Sequence, residues 1–248
     1  MTDNATQEQK IALVTGANKG IGREIAAQLA ELGMTVLLAA RDPHRREEAA
    51  AALRSVGGNV HPVGLDVTDP TTIREAAEYV DERFGRLDVL VNNAGITGNG
   101  GQAPSTADLD TVRQVFETNV FGVIAVTNAM LPLLLRSPAP RIVNVSSGVG
   151  SLAAMKDPDS PLTGLPASAA YVPSKTALNS VTVQYAKELR KADVLVNAAD
   201  PGYCATDLNN HTGYRTAAAG AATAVRLATL GPDGPTGGFF NDDGPVPW

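Results

Sequence analysis

A glycine-rich octapeptide, Thr15-Gly16-Ala17-Asn18-Lys19-Gly20-Ile21-Gly22, constrains this chain more than any other feature. It follows a short apolar run that reads as a buried strand (Ile11–Thr15). It leads into a stretch where Ile21, Ile25, Leu29 and Leu32 recur at helical spacing and Gly33 closes the helix. In that strand–turn–helix context each glycine has a use. Gly16 allows a tight turn, Gly20 lets the backbone approach a pyrophosphate, and Gly22 lets the helix pack against the strand. The helix start then offers free N–H groups and a positive dipole end to phosphate. A merely flexible turn is the weaker reading in that setting. The Gly-Lys-Ser/Thr ending of a nucleoside-triphosphate loop is missing, so a dinucleotide is the favoured ligand.

The same alternation continues along the chain. Strands are predicted at residues 34–40, 60–67, 87–91, 141–146, 194–199 and 237–240. Between them come helices at 43–56, around Ile73 to Phe84, at about 107–136, around Leu178 to Leu189, and at 217–230. Residues 96–104, 148–167 and 203–216 read as irregular loops. The last two are expected to wall a substrate site. Strands alternating with helices imply a parallel sheet with helices on both faces. The 248 residues suit one continuous domain with a flexible start at 1–9.

Composition removes several classes. The single cysteine, Cys204, forbids an intrachain disulfide and a four-cysteine zinc site; it reads as a residue lining the second loop. His44, His61 and His211 are scattered, so no metal site is expected. A net charge of −6 with 4% aromatic residues argues against a nucleic-acid partner. The polar first ten residues carry no secretory signal. The most apolar run, 130–135, is short and holds Pro132, so no membrane span is expected and a cytoplasmic location is.

The end of the second strand reads Ala39-Ala40-Arg41-Asp42. An acid there would bind the ribose 2′-hydroxyl of NAD, and an arginine the 2′-phosphate of NADP. Arg41 and Lys19, expected to converge, favour NADP(H) over NAD(H). Asp42 could contact the ribose instead, and a lone arginine is by default a solvated loop charge. The second strong signal is Tyr171-Val-Pro-Ser-Lys175. Residues four apart share a helix face, and Pro173 is tolerated in a first turn. An ammonium near the phenol is expected to lower the Tyr171 pKa and suit it to proton exchange with a carbonyl oxygen. Such a pair alone is common on surface helices.

The conjunction of motifs is more specific. In order they are the glycine turn, Leu65-Asp66-Val67, Asn92-Asn93-Ala94-Gly95, Asn119-Val-Phe-Gly122, Asn144-Val-Ser146-Ser147, Tyr171 with Lys175, and Pro201-Gly202. Across nearly the whole chain this resembles the short-chain dehydrogenase/reductase family. Within the family it looks most like the carbonyl-reductase-like branch, which shares the Asn-Lys-Gly turn and a lengthened segment before the tyrosine. The resemblance implies an α/β, Rossmann-type doubly wound parallel sheet of about seven strands. It also implies reversible NADPH-dependent reduction of a ketone or aldehyde.

The resemblance implies roles too. Tyr171 would be the acid/base and Lys175 would hold the nicotinamide ribose and tune it. Ser147 would bind the substrate carbonyl, with Ser146 as the alternative. Asn119 would orient a water beside Lys175. Asp66 would contact the adenine and Thr206 the carboxamide. Gly16, Asn18, Lys19, Gly20, Ile21, Gly22, Arg41, Val67, Asn93, Ala94, Gly95, Pro201 and Gly202 complete the implied cofactor site. Local alternatives stand beside these roles: Asp66 and Asp69 as turn or cap residues, Asn119 at a kink, Ser147 as a turn serine, and Thr206-Asp207 as a cap. The rival activities are a same-fold epimerase or dehydratase and a non-catalytic NADP-sensing protein. The insertion at 151–167 is intermediate in length and leaves monomer and homo-oligomer both open.

Overall fold

The computed structural model describes residues 9–98 and 103–248. The expected flexible start therefore lies, except for Gln9, outside the described residues, as does part of the 96–104 loop. The apolar runs form the strands β1 (Ile11–Thr15), β2 (Thr35–Ala40), β3 (Val60–Gly64), β4 (Val89–Asn92), β5 (Arg141–Val145), β6 (Leu195–Ala199) and β7 (Phe239–Asn241). They join in one sheet of order β3-β2-β1-β4-β5-β6-β7-β8, where β8 is Gly244–Pro245. All neighbours are parallel except the antiparallel β7–β8 pair, so the described residues form eight strands, one more than expected. The chain starts at β1, winds outward to β3, then returns to β4 on the other side of β1. At that reversal the carboxyl ends of β1 and β4 open a crevice.

Alternate residues of the strands feed two cores. Val14, Val36, Leu38 and Val91 pack under α1 (Gly20–Glu31), α2 (Pro43–Ser55) and α8 (Ala217–Ala228). Leu13, Leu37, Leu90 and Ile142 pack under α3 (Pro70–Phe84), α5 (Gly122–Leu134) and α7 (Tyr171–Glu188). Burial on both faces is why these strands read as continuous apolar runs rather than alternating ones.

Four local features differ from expectation. The strand predicted to reach residue 67 ends at Gly64. The long helix is interrupted: α4 (Leu109–Phe116) and α5 flank a π-helical turn, Glu117–Phe121, that buries Asn119. Residues 148–167 are partly ordered, with a short helix α6 (Leu152–Lys156) capped by Ser151, whose Oγ accepts from the Ala154 N–H at 3.0 Å. Residues 203–216 contain a 3₁₀ turn, Asp207–Asn209, and a bridge between Cys204 and Arg215. By length and composition alone, the helical stretch Leu109–Leu134 is long and apolar enough to cross a membrane. Half of its most apolar 18-residue window is buried, and Val115, Val126, Met130 and Leu134 lie wholly inside the protein.

Candidate active site

The glycine turn is tied to the end of β4. Thr15 Oγ1 accepts from the N–H groups of Asn93 and Ala94, both at 3.0 Å. Asn93 Nδ2 donates back to Thr15 O at 2.8 Å and to Gly16 O at 3.3 Å. Gly16 has φ +62°, and a Cβ there would lie 2.9 Å from Ala94 Cα. A Cβ on Gly22 would lie 2.3 Å from Asn93 Nδ2. Gly22 thus makes room for Asn93 and the turn itself, not for the strand. Gly20, at φ +55°, begins α1, and no side chain caps that helix start. With Asn18 and Ile21 on either side, the turn leaves a crowded backbone and free N–H groups, which fits a pyrophosphate.

Each of the two expected cations meets a carboxylate of its own. Lys19 Nζ lies 2.7 Å from Asp207 Oδ2. Arg41 is largely exposed, with Nη1 3.8 Å from Asp66 Oδ2. Asp42 is occupied as the cap of α2, accepting from the Arg45 N–H at 2.9 Å, which holds its carboxyl below the usual range. A groove of about 380 Å³ is lined by Asn18, Lys19, Arg23, Arg45, Glu48 and Asp207, with Arg41 outside it. Arg45 was missed in the sequence.

At the other end of the crevice, Ser147 lies close enough to Tyr171 for its hydroxyl to act on the phenol. Lys175, one helical turn on, places Nζ 5.7 Å from the Tyr171 ring centre and donates to Val145 O at 2.8 Å. Ser146 is turned away, donating to Asn179 Oδ1 at 2.6 Å. Asn119 has its amide saturated. Oδ1 accepts from the Ile96 N–H at 2.9 Å, and Nδ2 donates to Ile96 O at 2.9 Å and Ser174 Oγ at 3.0 Å. A Cβ on Gly95 would lie 3.3 Å from Asn119 Oδ1 and 3.7 Å from Lys175 Nζ, so the three residues meet.

The expected lowering of the Tyr171 pKa does not appear. Burial pushes it up to about 12; the Ser147 hydrogen bond pulls the other way, and Asp200 adds to the rise. Burial pushes Lys175 down to about 8. Loss of water around both groups outweighs their mutual effect.

The remaining candidates are distributed around this crevice. Asp66 Oδ1 accepts from the Thr68 N–H and Oγ1 at 3.0 and 2.8 Å, a turn geometry, and Asp69 caps α3. Val67 is buried under Gly122. After Pro201, the Gly202 N–H donates to Asp200 Oδ1 at 3.0 Å. Thr206 is buried against Gly20. Cys204 is buried, its thiol donating to Pro201 O at 3.2 Å. Beneath the site Asn92 Nδ2 donates to Asn144 Oδ1 at 2.9 Å, and Asn144 Nδ2 to Thr182 Oγ1 at 2.9 Å. That buried relay locks β4, β5 and α7 together.

The profile of the short chain dehydrogenase family matches residues 10–216. A short-chain dehydrogenase of Penicillium roqueforti is 40% identical over 235 residues, covering 92% of this chain and 91% of its own. A (+)-neomenthol dehydrogenase of Capsicum annuum is 33% identical, covering 95% and 96%. The structure of salutaridine reductase from Papaver somniferum superposes with a TM-score of 0.81 at 32% identity, covering 94% of this chain and 100% of that one.

Proposed function

The chain belongs to the short-chain dehydrogenase family and is an oxidoreductase, and from that premise we propose that it reversibly reduces a ketone or aldehyde to an alcohol with NADP(H) in preference to NAD(H). The observation that carries this reading is the meeting of three side chains, with Lys175 Nζ 5.7 Å from the Tyr171 ring centre and Ser147 near enough to act on the same phenol. When bound, the nicotinamide supplies the hydride.

The chain's own residues do the rest. The turn from Gly16 to Gly22 holds the pyrophosphate, Asn93 to Gly95 wall the crevice, and Thr206 and Lys175 secure the nicotinamide end. Ser147 and Tyr171 grip the carbonyl oxygen, and Tyr171 gives it a proton as alkoxide charge develops. The raised pKa keeps Tyr171 protonated near neutrality, the form that reduction needs. Lys175 stabilises the phenolate left behind. Asn119 holds Ile96 and Ser174 in place, and a water beside Lys175 would continue the proton path.

The NADP preference is supported by Lys19, Arg23, Arg41 and Arg45 on the adenine side, together with the engagement of Asp42 as a helix cap. The loops beside Tyr171 and Gly202 expose Leu165, Tyr203, Leu208 and Tyr214, which suits a largely apolar small molecule. Its relatives include a salutaridine reductase and a (+)-neomenthol dehydrogenase. A cytoplasmic location belongs to the same reading.

A panel of ketones and aldehydes, offered with NADPH and NADH in parallel, tests all of this. Net NADPH consumption is expected with at least one. Redox-neutral conversion would point to the epimerase or dehydratase rival. Tight NADPH binding with no conversion would point to the sensing protein.

A further inference from the structure

Asp200 follows the last residue of β6, in line with Ser146 at the end of β5: the Ser146 N–H donates to Ala199 O at 2.8 Å, and the Asp200 N–H donates to Phe240 O at 2.8 Å. The carboxylate is therefore carried by rigid sheet on both sides. One of its oxygens is used, since Oδ1 accepts from the Gly202 N–H at 3.0 Å and closes the turn after Pro201. Among the described residues no donor or cation meets the other, Oδ2. That oxygen faces Gly148, where a Cβ would lie 2.9 Å from it and 3.7 Å from Leu162 Cδ1. Gly148 has an ordinary backbone conformation, so the glycine is not needed for the turn. What its missing side chain does is leave a carboxylate oxygen uncovered, with an apolar leucine on the other side, directly after Ser147. Asp200 is also close enough to Tyr171 for its charge to act on the phenol.

We propose that Asp200 is a substrate-recognising residue of this site, its uncovered Oδ2 receiving a protonated amine carried by an otherwise apolar carbonyl compound. The inference rests on the reductase reading. An ammonium gains both a charge-assisted hydrogen bond and the Coulomb attraction of an unpaired carboxylate in a partly dry cleft. A substrate carboxylate in the same place meets like charge and is rejected. Leu162 and the exposed Leu165 and Tyr203 contact the apolar remainder.

The test uses three ketones of one skeleton, bearing an amine, a methyl or a carboxylate at the same position. With NADPH, kcat/KM is expected to rank amine, methyl, carboxylate. In Asp200→Asn the Gly202 contact is retained while the charge is lost, and the amine-to-methyl ratio should fall at least tenfold, mostly through KM. Gly148→Ala, which lays a methyl against Oδ2, should reduce the same ratio. An equal fall for all three ketones would mean that Asp200 only closes the turn, and the proposal is overturned. A changed ratio of NADP⁺ to NADPH affinity with the ketone ranking intact would also overturn it. The corresponding amino alcohol and plain alcohol, titrated calorimetrically into the NADP⁺-loaded protein, read the same preference without turnover. If no ketone is reduced but the amino alcohol still binds at least tenfold tighter, and Asp200→Asn removes that margin, the reductase reading fails and Asp200 stands.

Discussion

Lys19 Nζ meets Asp207 Oδ2 at 2.7 Å and so joins the glycine turn to the loop after Pro201-Gly202, 188 residues away. Both side chains are about half exposed. The pair therefore contributes little to stability. Its consequence is competition, because Asp207 holds a cation that a cofactor phosphate would use. Asp207→Asn is expected to tighten NADPH about two- to fivefold, and Lys19→Ala to weaken it about tenfold, a single ion pair's worth. Fluorescence titration at low and high salt checks both. Equal affinity in the three proteins would mean that Lys19 stays with Asp207 when NADPH binds.

Arg41 and Arg45 divide the adenine end between them. Arg45 lines the groove with Lys19, whereas Arg41 lies outside it beside Asp66. Replacing either with Ala should cost NADPH affinity about tenfold or less and leave NADH affinity nearly constant, since only the 2′-phosphate differs. Arg41→Asp should go further and shift the preference towards NADH. The comparison of kcat/KM for the two cofactors decides which arginine matters. A loss confined to Arg45→Ala would remove Arg41 from the phosphate site.

The strands were legible because β1, β2, β4 and β5 are buried on both faces and read as short apolar runs. The glycine turn was legible because its packing against Ala94 and Asn93 demands residues without Cβ atoms. What escaped lies below the resolution of periodicity. The π-helical turn at Glu117–Phe121 alters a 3.6-residue repeat by one residue, which a long apolar helix hides. The five residues of α6 are too few to show a period, and β8 pairs two residues through backbone alone. Arg45 looked like any solvated helix charge. The choice between Ser146 and Ser147 depended on which of two neighbours faces Asn179, a matter of strand alternation at a strand's frayed end.

That pair of serines gives opposite expectations. Ser147→Ala removes the hydroxyl beside Tyr171 and should lower kcat by about 10²–10³, as loss of an oxyanion donor does. Its melting temperature should hardly move. Ser146→Ala leaves a buried Asn179 oxygen without its donor and should cost about 1–3 kcal/mol of stability, with kcat little changed. Tyr171→Phe should remove turnover and keep NADPH binding. Scanning calorimetry beside steady-state kinetics separates the three. A loss of kcat in Ser146→Ala at full stability would exchange the roles of the two serines.

Lys175 carries a stability cost that depends on pH. Burial pushes its pKa from 10.5 down to about 8. Between those values the unfolded chain holds a proton that the native protein lacks, so stability rises as pH rises through that window. Below about pH 8 the native protein must bury the ammonium, and the cost is fully present, on the order of 3 kcal/mol before the Val145 hydrogen bond is counted. Lys175→Met should therefore be inactive yet more stable than the natural protein at pH 7, by about 1–2 kcal/mol once the lost contact to Val145 O is allowed for. The margin should shrink towards pH 10. Urea denaturation of both proteins at pH 7 and pH 10 measures it directly. A margin that stays constant with pH would show that the Lys175 charge is solvated in the folded protein, and that its role beside Tyr171 owes nothing to burial.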